Sequence, residues 1–172
     1  GGLSGVDLYC VFALDENRAW VGTGNGKIFA TVDGGGTWTE QLYPGIQSSF
    51  IDGVAFLDPN NGYALGDPPV GSSRWVVLKT TNGGATWARI ATEPTPGTGE
   101  ASNQNDLTVF GASNIWFGAS ANGKIYRSTD AGATWNLAGP KYKLATSSED
   151  MLNLAVNGTN GVVVGKPHTI TY

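Results

Sequence analysis

Thr31-Val32-Asp33-Gly34-Gly35-Gly36-Thr37-Trp38, Thr80-Thr81-Asn82-Gly83-Gly84-Ala85-Thr86-Trp87 and Ser128-Thr129-Asp130-Ala131-Gly132-Ala133-Thr134-Trp135 are three copies of one eight-residue stretch. Their closing tryptophans stand 49 and 48 residues apart. The likeness extends upstream. Trp20-Val21-Gly22 followed by Gly26-Lys27-Ile28-Phe29 matches Trp116-Phe117-Gly118 followed by Gly123-Lys124-Ile125-Tyr126. The middle copy reads Tyr63-Ala64-Leu65-Gly66, a longer loop, then Trp75-Val76-Val77-Leu78-Lys79. Self-similarity at a fixed period identifies a chain built from stacked equal units.

Within one period the pattern predicts four short strands, over about 7–14, 19–23, 26–32 and 36–42 in the first. Apolar and β-branched residues alternate inside them, and Gly, Asn, Asp and Pro separate them. Four strands per unit of this length is the pattern of a β-propeller blade, whereas leucine-rich or ankyrin arrays have shorter periods and helical patterning. The fold class expected is therefore all-β. One partial propeller fills residues 1–172, with blades over about 5–48, 49–98 and 103–140 and an incomplete one over 148–172. That makes about three and a half four-stranded blades. Closed propellers use four to eight, so the remaining blades are expected from a longer parent chain or a second copy.

The repeated stretch has turn chemistry. A side-chain oxygen at Asp33, Asn82 or Asp130 is placed to accept backbone N–H bonds across a tight turn. Gly35, Gly84 and Gly132 supply the positive φ such a turn demands. Trp38, Trp87 and Trp135 are expected to cover the turn and bury a large apolar area each. These residues read as structural.

Composition narrows the function. The chain carries 26 glycines, six tryptophans and 14% charged residues, the make-up of a folded protein rich in turns. A formal charge of −4 with scattered Lys and Arg argues against a nucleic-acid partner. No run approaches the ~20 apolar residues of a membrane span, so no membrane insertion is expected. Cys10, the sole cysteine, lies in the apolar run Leu8–Phe12 and reads as a core residue. His168, the sole histidine, has no partner at ligand spacing, so neither a metal nor another cofactor is implied.

Ser/Thr-x-Asp-x-Gly-x-Thr-Trp resembles the Asp-box, or bacterial neuraminidase repeat, of sialidases, sortilin-type receptors and xyloglucan-cleaving endoglucanases. The fuller pattern, with its aromatic-apolar-Gly strand and Gly-x-Ile before the box, looks most like propellers related to the photosystem II stability and assembly factor. The resemblance covers nearly the whole chain and implies the fold. It says little of activity, because propellers host many functions. Sialidases resemble one another in an Arg-Ile-Pro segment and an arginine triad. Here Arg89-Ile90 precedes Ala91, and Arg18, Arg89 and Arg127 occupy repeat positions expected at blade edges. Xyloglucan-type enzymes close a cleft between two whole propellers, more than these residues supply.

Ligand sites in propellers gather where loops converge on the central channel. Those loops are expected over about 43–52, 92–106 and 139–150, with inner loops at 22–26, 66–74, 118–123 and 165–169. They contain the candidate binding residues Asp52, Asp67, Arg74, Asp106, Lys141, Tyr142 and Asp150. Asp7, Asp52, Asp106 and Asp150 stand at similar places in successive units, as turn caps or as a carboxylate ring around the channel mouth. The Pro/Gly-rich loop 92–105 exceeds usual connection lengths and is the first choice for a recognition element. The function expected is a non-catalytic binding or assembly module for a protein or glycan partner, in a secreted, periplasmic, cell-surface or lumenal setting. The alternative is a fragment of a carbohydrate-active enzyme whose catalytic residues lie elsewhere.

Overall fold

A computed structural model of the chain describes residues 3–41, 50–120 and 124–137, and the strand course of 150–157 and 160–166. Every regular element among them is a β-strand. Leu8–Ala13 (β1), Ala19–Thr23 (β2), Ile28–Thr31 (β3) and Thr39–Glu40 (β4) pair antiparallel in chain order as one sheet. Ile51–Phe56 (β5), Gly62–Gly66 (β6), Val76–Thr80 (β7) and Ala88–Arg89 (β8) form the second. Leu107–Phe110 (β9), Asn114–Gly118 (β10), Ile125–Ser128 (β11) and Asn136–Leu137 (β12) form the third. Asp150–Asn157 (β13) and Asn160–Lys166 (β14) make a two-stranded sheet, with β13 packed beside β9 and β10. The outermost strand of each complete sheet is only two residues long, shorter than its apolar pattern suggests. Successive four-stranded sheets with their first strands side by side are the blades of a β-propeller.

The middle sheet shows why its sequence runs apolar without a break. Val54, Phe56, Ala64, Val76 and Leu78 face Trp20, Ile28 and Ala30 of the first sheet. Their neighbours Ala55, Tyr63, Leu65, Trp75 and Val77 face Leu107, Ile115, Phe117 and Tyr126 of the third. Side chains alternate across a strand, so a sheet buried on both faces needs an apolar residue at every position. Burying one such side chain contributes roughly 1.5–3 kcal/mol, so the two layers bind the three sheets together. The innermost strands come closest. A Cβ on Gly53 would lie 2.5 Å from the Leu107 Cβ, so only glycine lets β5 and β9 meet at that height.

The repeat turns join the third and fourth strands. Thr37 donates its backbone N–H to Asp33 Oδ1 at 2.8 Å and its hydroxyl to Oδ2 at 2.7 Å, while Gly35 N–H donates to Thr31 Oγ1 at 2.9 Å. The third copy repeats these bonds with Thr134, Asp130, Gly132 and Ser128. In the second, Thr86 N–H donates to Asn82 Oδ1 at 3.0 Å, and the Asn82 amide donates to Thr86 Oγ1 at 2.9 Å. One hydrogen bond has thus reversed polarity where the carboxylate is an amide. Gly35, Gly84 and Gly132 hold φ of 92°, 88° and 89°. The preceding position is also left-handed, and in the third copy it is occupied by Ala131 at φ 58°.

The three repeat tryptophans are buried to different extents. Trp87 is buried, edge-on to Phe56 with ring centroids 5.7 Å apart, whereas Trp38 and Trp135 are half-buried. Trp87 and Trp135 pack toward the sheet that precedes their own: Trp87 joins the first layer and Trp135 the second. Trp38 belongs to the first sheet and joins neither layer.

Candidate functional site

Phe50-Ile51-Asp52-Gly53-Val54 places one carboxylate in an otherwise apolar run, and the structure shows how it is accommodated. Pairing of β5 with β6 slips between Ile51 and Gly53, so Asp52 is the extra residue of a β-bulge. Bulges re-aim a side chain at the end of a sheet, here toward the converging loops. Asp67, one residue past β6, and Ser102, from the connection between β8 and β9, meet it there. Ser102 Oγ lies 2.7 Å from Asp52 Oδ2 and 2.9 Å from Asp67 Oδ1, and Ser102 N–H donates to Asp67 Oδ1 at 2.6 Å. Asn105 N–H donates to the Asp52 carbonyl at 2.6 Å. These groups border a groove of about 400 Å³ lined by Tyr9, Phe50, Asp52, Asp67, Asn103 and Gln104 with Ser102. Tyr9 and Phe50 form its aromatic wall, stacked at 5.1 Å with planes 22° apart.

Asp106 enters from the start of β9 and is wholly buried. Neither of its carboxyl oxygens has a hydrogen bond of ordinary geometry. Burial pushes the Asp106 carboxyl up to about 7; the Asn103 backbone amide offsets part of this, and the nearby Asp52 adds to it. Asp52 is raised to about 7 in the same way, chiefly by burial, with the Ser102 hydrogen bond opposing and Asp67 reinforcing. No lysine or arginine forms an ion pair with these three acids among the described residues. Nor does any cluster of His, Cys, Asp and Glu among those residues have the geometry to hold a metal ion.

Asp7, Asp52 and Asp150 do not occupy equivalent places in the pairing of their strands. β1 carries its bulge at Tyr9 and β13 at Leu152, so those residues, not Asp7 and Asp150, match Asp52. Asp7 is exposed, and its carbonyl accepts the Gly24 N–H. Asp150 begins β13, and Lys141 and Tyr142 lie outside the described residues. Arg74 is also separate from the acids. It stands at the far end of the loop that begins with Asp67, donating Nη1–H to the Ala91 carbonyl at 2.8 Å beside Arg89 and Glu93. Arg127 is not at an edge: it lies in β11, third of four strands, over the Trp116 ring at 4.5 Å.

The 92–105 connection is fastened at two points. Glu93 is buried, accepting from Arg89 Nε at 2.8 Å and from the Val77 N–H at 3.0 Å. Glu100, also buried, accepts from the Tyr126 hydroxyl at 2.6 Å and the Gly97 N–H at 2.7 Å and pairs with Lys124 at 2.7 Å. Burial would raise the Glu100 carboxyl, but these three partners outweigh it and hold it below the usual range. Its last residues, Ser102 to Gln104, form one wall of the groove. Cys10 is buried and donates to the Ile51 carbonyl at 3.4 Å; burial pushes its thiol up to about 12, so it is no nucleophile. Ser102 and Tyr9 were not among the residues singled out from sequence. The signal that points to the groove is an isolated acid within an apolar strand.

No family model matches the chain. Among curated proteins it is similar to a xyloglucanase of Paenibacillus sp, 26% identical over 166 residues. It is also similar to xyloglucanase Xgh74A of Acetivibrio thermocellus, 28% identical over 165. These alignments take in 77% and 76% of this chain but only 16% and 19% of the relatives. Among solved structures it resembles YCF48 from Cyanidioschyzon merolae, with a TM-score of 0.67 at 19% identity over 92% of this chain and 50% of that one. YCF48 bound to D1 peptide gives 0.63 at 20%, over 95% and 53%. The GH74 xyloglucanase from Xanthomonas campestris gives 0.61 at 15%, over 90% and 24%. The fold is that of these β-propellers, and the chain spans between 24% and 53% of each.

Proposed function

We propose that this chain is a non-catalytic, glycan-binding stretch of a β-propeller, with the groove between Tyr9, Phe50, Asp52 and Asp67 as its ligand site. One observation carries the reading: a stacked aromatic pair stands across an open groove from carboxyl and amide side chains. Sugars present both C–H faces, which lie against aromatic rings, and hydroxyls, which bond to Asp, Asn and Gln. The curated relatives act on a glycan, as their names state, which favours this class over a peptide. The two acids bridged by Ser102 do not suit glycoside hydrolysis. That chemistry needs carboxyls on either side of a sugar, with ~5 Å or more left open between them. Here a serine hydroxyl fills the gap.

Titration calorimetry with xyloglucan and cello-oligosaccharides tests the reading. Saturable binding that is lost in Tyr9→Ala supports it. Absence of binding to either series, or binding of a basic peptide alone, overturns it. The relatives' names favour one other reading, a piece of a glycoside hydrolase whose catalytic residues lie outside these residues. Release of reducing sugar by the full-length protein, absent from these residues alone and unaffected by Asp52→Asn, would establish that reading instead.

A further inference from the structure

Ser102 offers one hydroxyl proton, yet its oxygen lies within hydrogen-bond distance of two carboxyl groups. A hydroxyl donates once and accepts through its lone pairs. With both acids ionised, one of the two contacts would set a lone pair against a lone pair. The arrangement is satisfied only when one acid carries a proton and donates it to Ser102 Oγ, while Ser102 donates to the other. The hydrogen bonds and burial set the direction of this relay. Asp67 Oδ1 already accepts the Ser102 N–H at 2.6 Å and so is the accepting end. Asp52 is 3% exposed and is the protonated end.

We propose that Asp52, Ser102 and Asp67 form a proton-held latch that fastens the β8–β9 connection to the second blade and releases it when the proton leaves. Among the described residues, no cation faces the Asp52 carboxyl. Asp67 faces Asp52 from the β6–β7 loop, and Asp106 approaches from the entrance of β9. Cys10 faces it from β1, a thiol whose own ionisation Asp52 opposes. None of these is a cation. Loss of the Asp52 proton to solvent therefore leaves like charges close together in a poorly hydrated place, with the bridging bond reversed into a repulsion. The nearby anchor, Asn105 N–H on the Asp52 carbonyl, belongs to the same connection and is strained by the same event. Because Ser102, Asn103 and Gln104 line the groove, the latch sets the shape of the ligand site, although it exists whether or not that site takes a glycan.

Carboxyl carbon NMR on the intact chain, with melting temperature followed from pH 4 to pH 8, tests this directly. The expected result is an Asp52 carboxyl that titrates near neutrality. The melting temperature should fall across that range, by about half as much in Asp52→Asn and hardly at all in Asp52→Asn/Asp106→Asn. An asparagine amide replaces the protonated acid as donor to Ser102, so the single variant should retain the closed latch. Amides 102–106 should exchange faster above pH 7, after correction for intrinsic rates, in wild type and not in Asp52→Asn. An Asp52 carboxyl titrating near 4, or a wild-type melting temperature that does not fall between pH 4 and 8, overturns the proposal. Should the variants fail to fold, the wild-type titration alone decides. Calorimetry with the same oligosaccharides separates the two claims, because a titrating latch with no sugar binding removes only the glycan reading.

Discussion

Trp20 of the first sheet lies flat on Phe56 of the second, with ring centroids 3.6 Å apart and planes within 17°. The Trp20 indole N–H donates to the Gly83 carbonyl at 3.2 Å, so the same side chain also reaches the next blade's repeat turn. Phe56 in turn meets Trp87 edge-on. This three-ring stack is the centre of the first inter-blade layer. Phe56→Ala should cost about 3–5 kcal/mol through the lost apolar contact and the cavity left behind. Denaturant unfolding followed by tryptophan fluorescence checks it, and a loss under 1 kcal/mol would show that the blades are held elsewhere.

Ala131 stands at φ 58° where the other two copies carry Gly34 and Gly83 at 67° and 69°. A left-handed alanine is strained, and glycine is not. Ala131→Gly should therefore stabilise the chain by about 1 kcal/mol. Gly132→Ala should do the reverse, since a Cβ there would meet Ile90 Cδ1 at 2.8 Å. Paired urea melts of the two variants measure both signs.

The repeat turns and the groove respond oppositely to acid. Hydrogen bonds from Thr37 and Thr31 hold the Asp33 carboxyl down at about 2, and Thr134 and Ser128 do the same for Asp130. A depressed folded-state value means stability that is present above the ordinary carboxyl value near 4 and lost as pH falls toward 2. Asp52 and Asp106 are raised to about 7, so the folded state holds extra protons between about pH 4 and 7 and loses stability as pH climbs through that window. The two trends together place the stability maximum between about pH 4 and 5. Asp33→Ala and Asp130→Ala should each lower the melting temperature at neutral pH and flatten the acid limb below pH 4. A maximum at neutral pH in a melting series would contradict this.

Glu100 is the second anchor of the long connection. Glu100→Ala would leave Lys124 without this partner and the Tyr126 hydroxyl, raised by burial and by Glu100 itself, with only the Thr95 carbonyl at 3.2 Å as acceptor. Removing one partner of a buried pair typically costs about 3–5 kcal/mol, and the partial exposure of Lys124 places this case at the low end. Hydrogen exchange should show the change at residues 95–102 first. Uniform loosening of the whole chain would indicate that the anchor is global.

In the ligand site, Tyr9→Ala should weaken sugar binding roughly tenfold, about 1.4 kcal/mol, while leaving the melting temperature nearly unchanged, because Tyr9 is only half-buried. Equal losses of affinity and stability would mean that the ring is a packing residue.

Much of this was legible in the chain itself. The period between Trp38, Trp87 and Trp135 implied sheets of four strands, and the turn chemistry of Thr31, Asp33 and Gly35 is local enough to be read from eight residues. The groove was only half legible. Asp52 and Asp67 stand out as acids beside apolar strands, but their partner Ser102 is 50 and 35 residues away and carries no pattern of its own. A bulge is likewise invisible from sequence, because one slipped residue in β5 leaves composition and alternation almost unchanged. That slip separates Asp52 from Asp7 and Asp150. The unequal burial of Trp38, Trp87 and Trp135 was not legible for another reason: burial of a blade's outer tryptophan depends on the neighbouring blade, which the motif does not contain.

Asn105, at φ 64°, accepts the Val11 N–H on its side chain at 3.2 Å and donates its own N–H to the Asp52 carbonyl. One strained residue of the third blade thus ties the innermost strands of the other two, across 94 residues of sequence to Val11. Pairing within each blade joins strands close in sequence, so the hairpins can zip early. The Asn105 crossing closes a long loop and has to come late. The order of events in folding is then written into the centre of the molecule. Blades are expected to form first as separate hairpin stacks, with their convergence on Asn105 as the later, entropy-limited step.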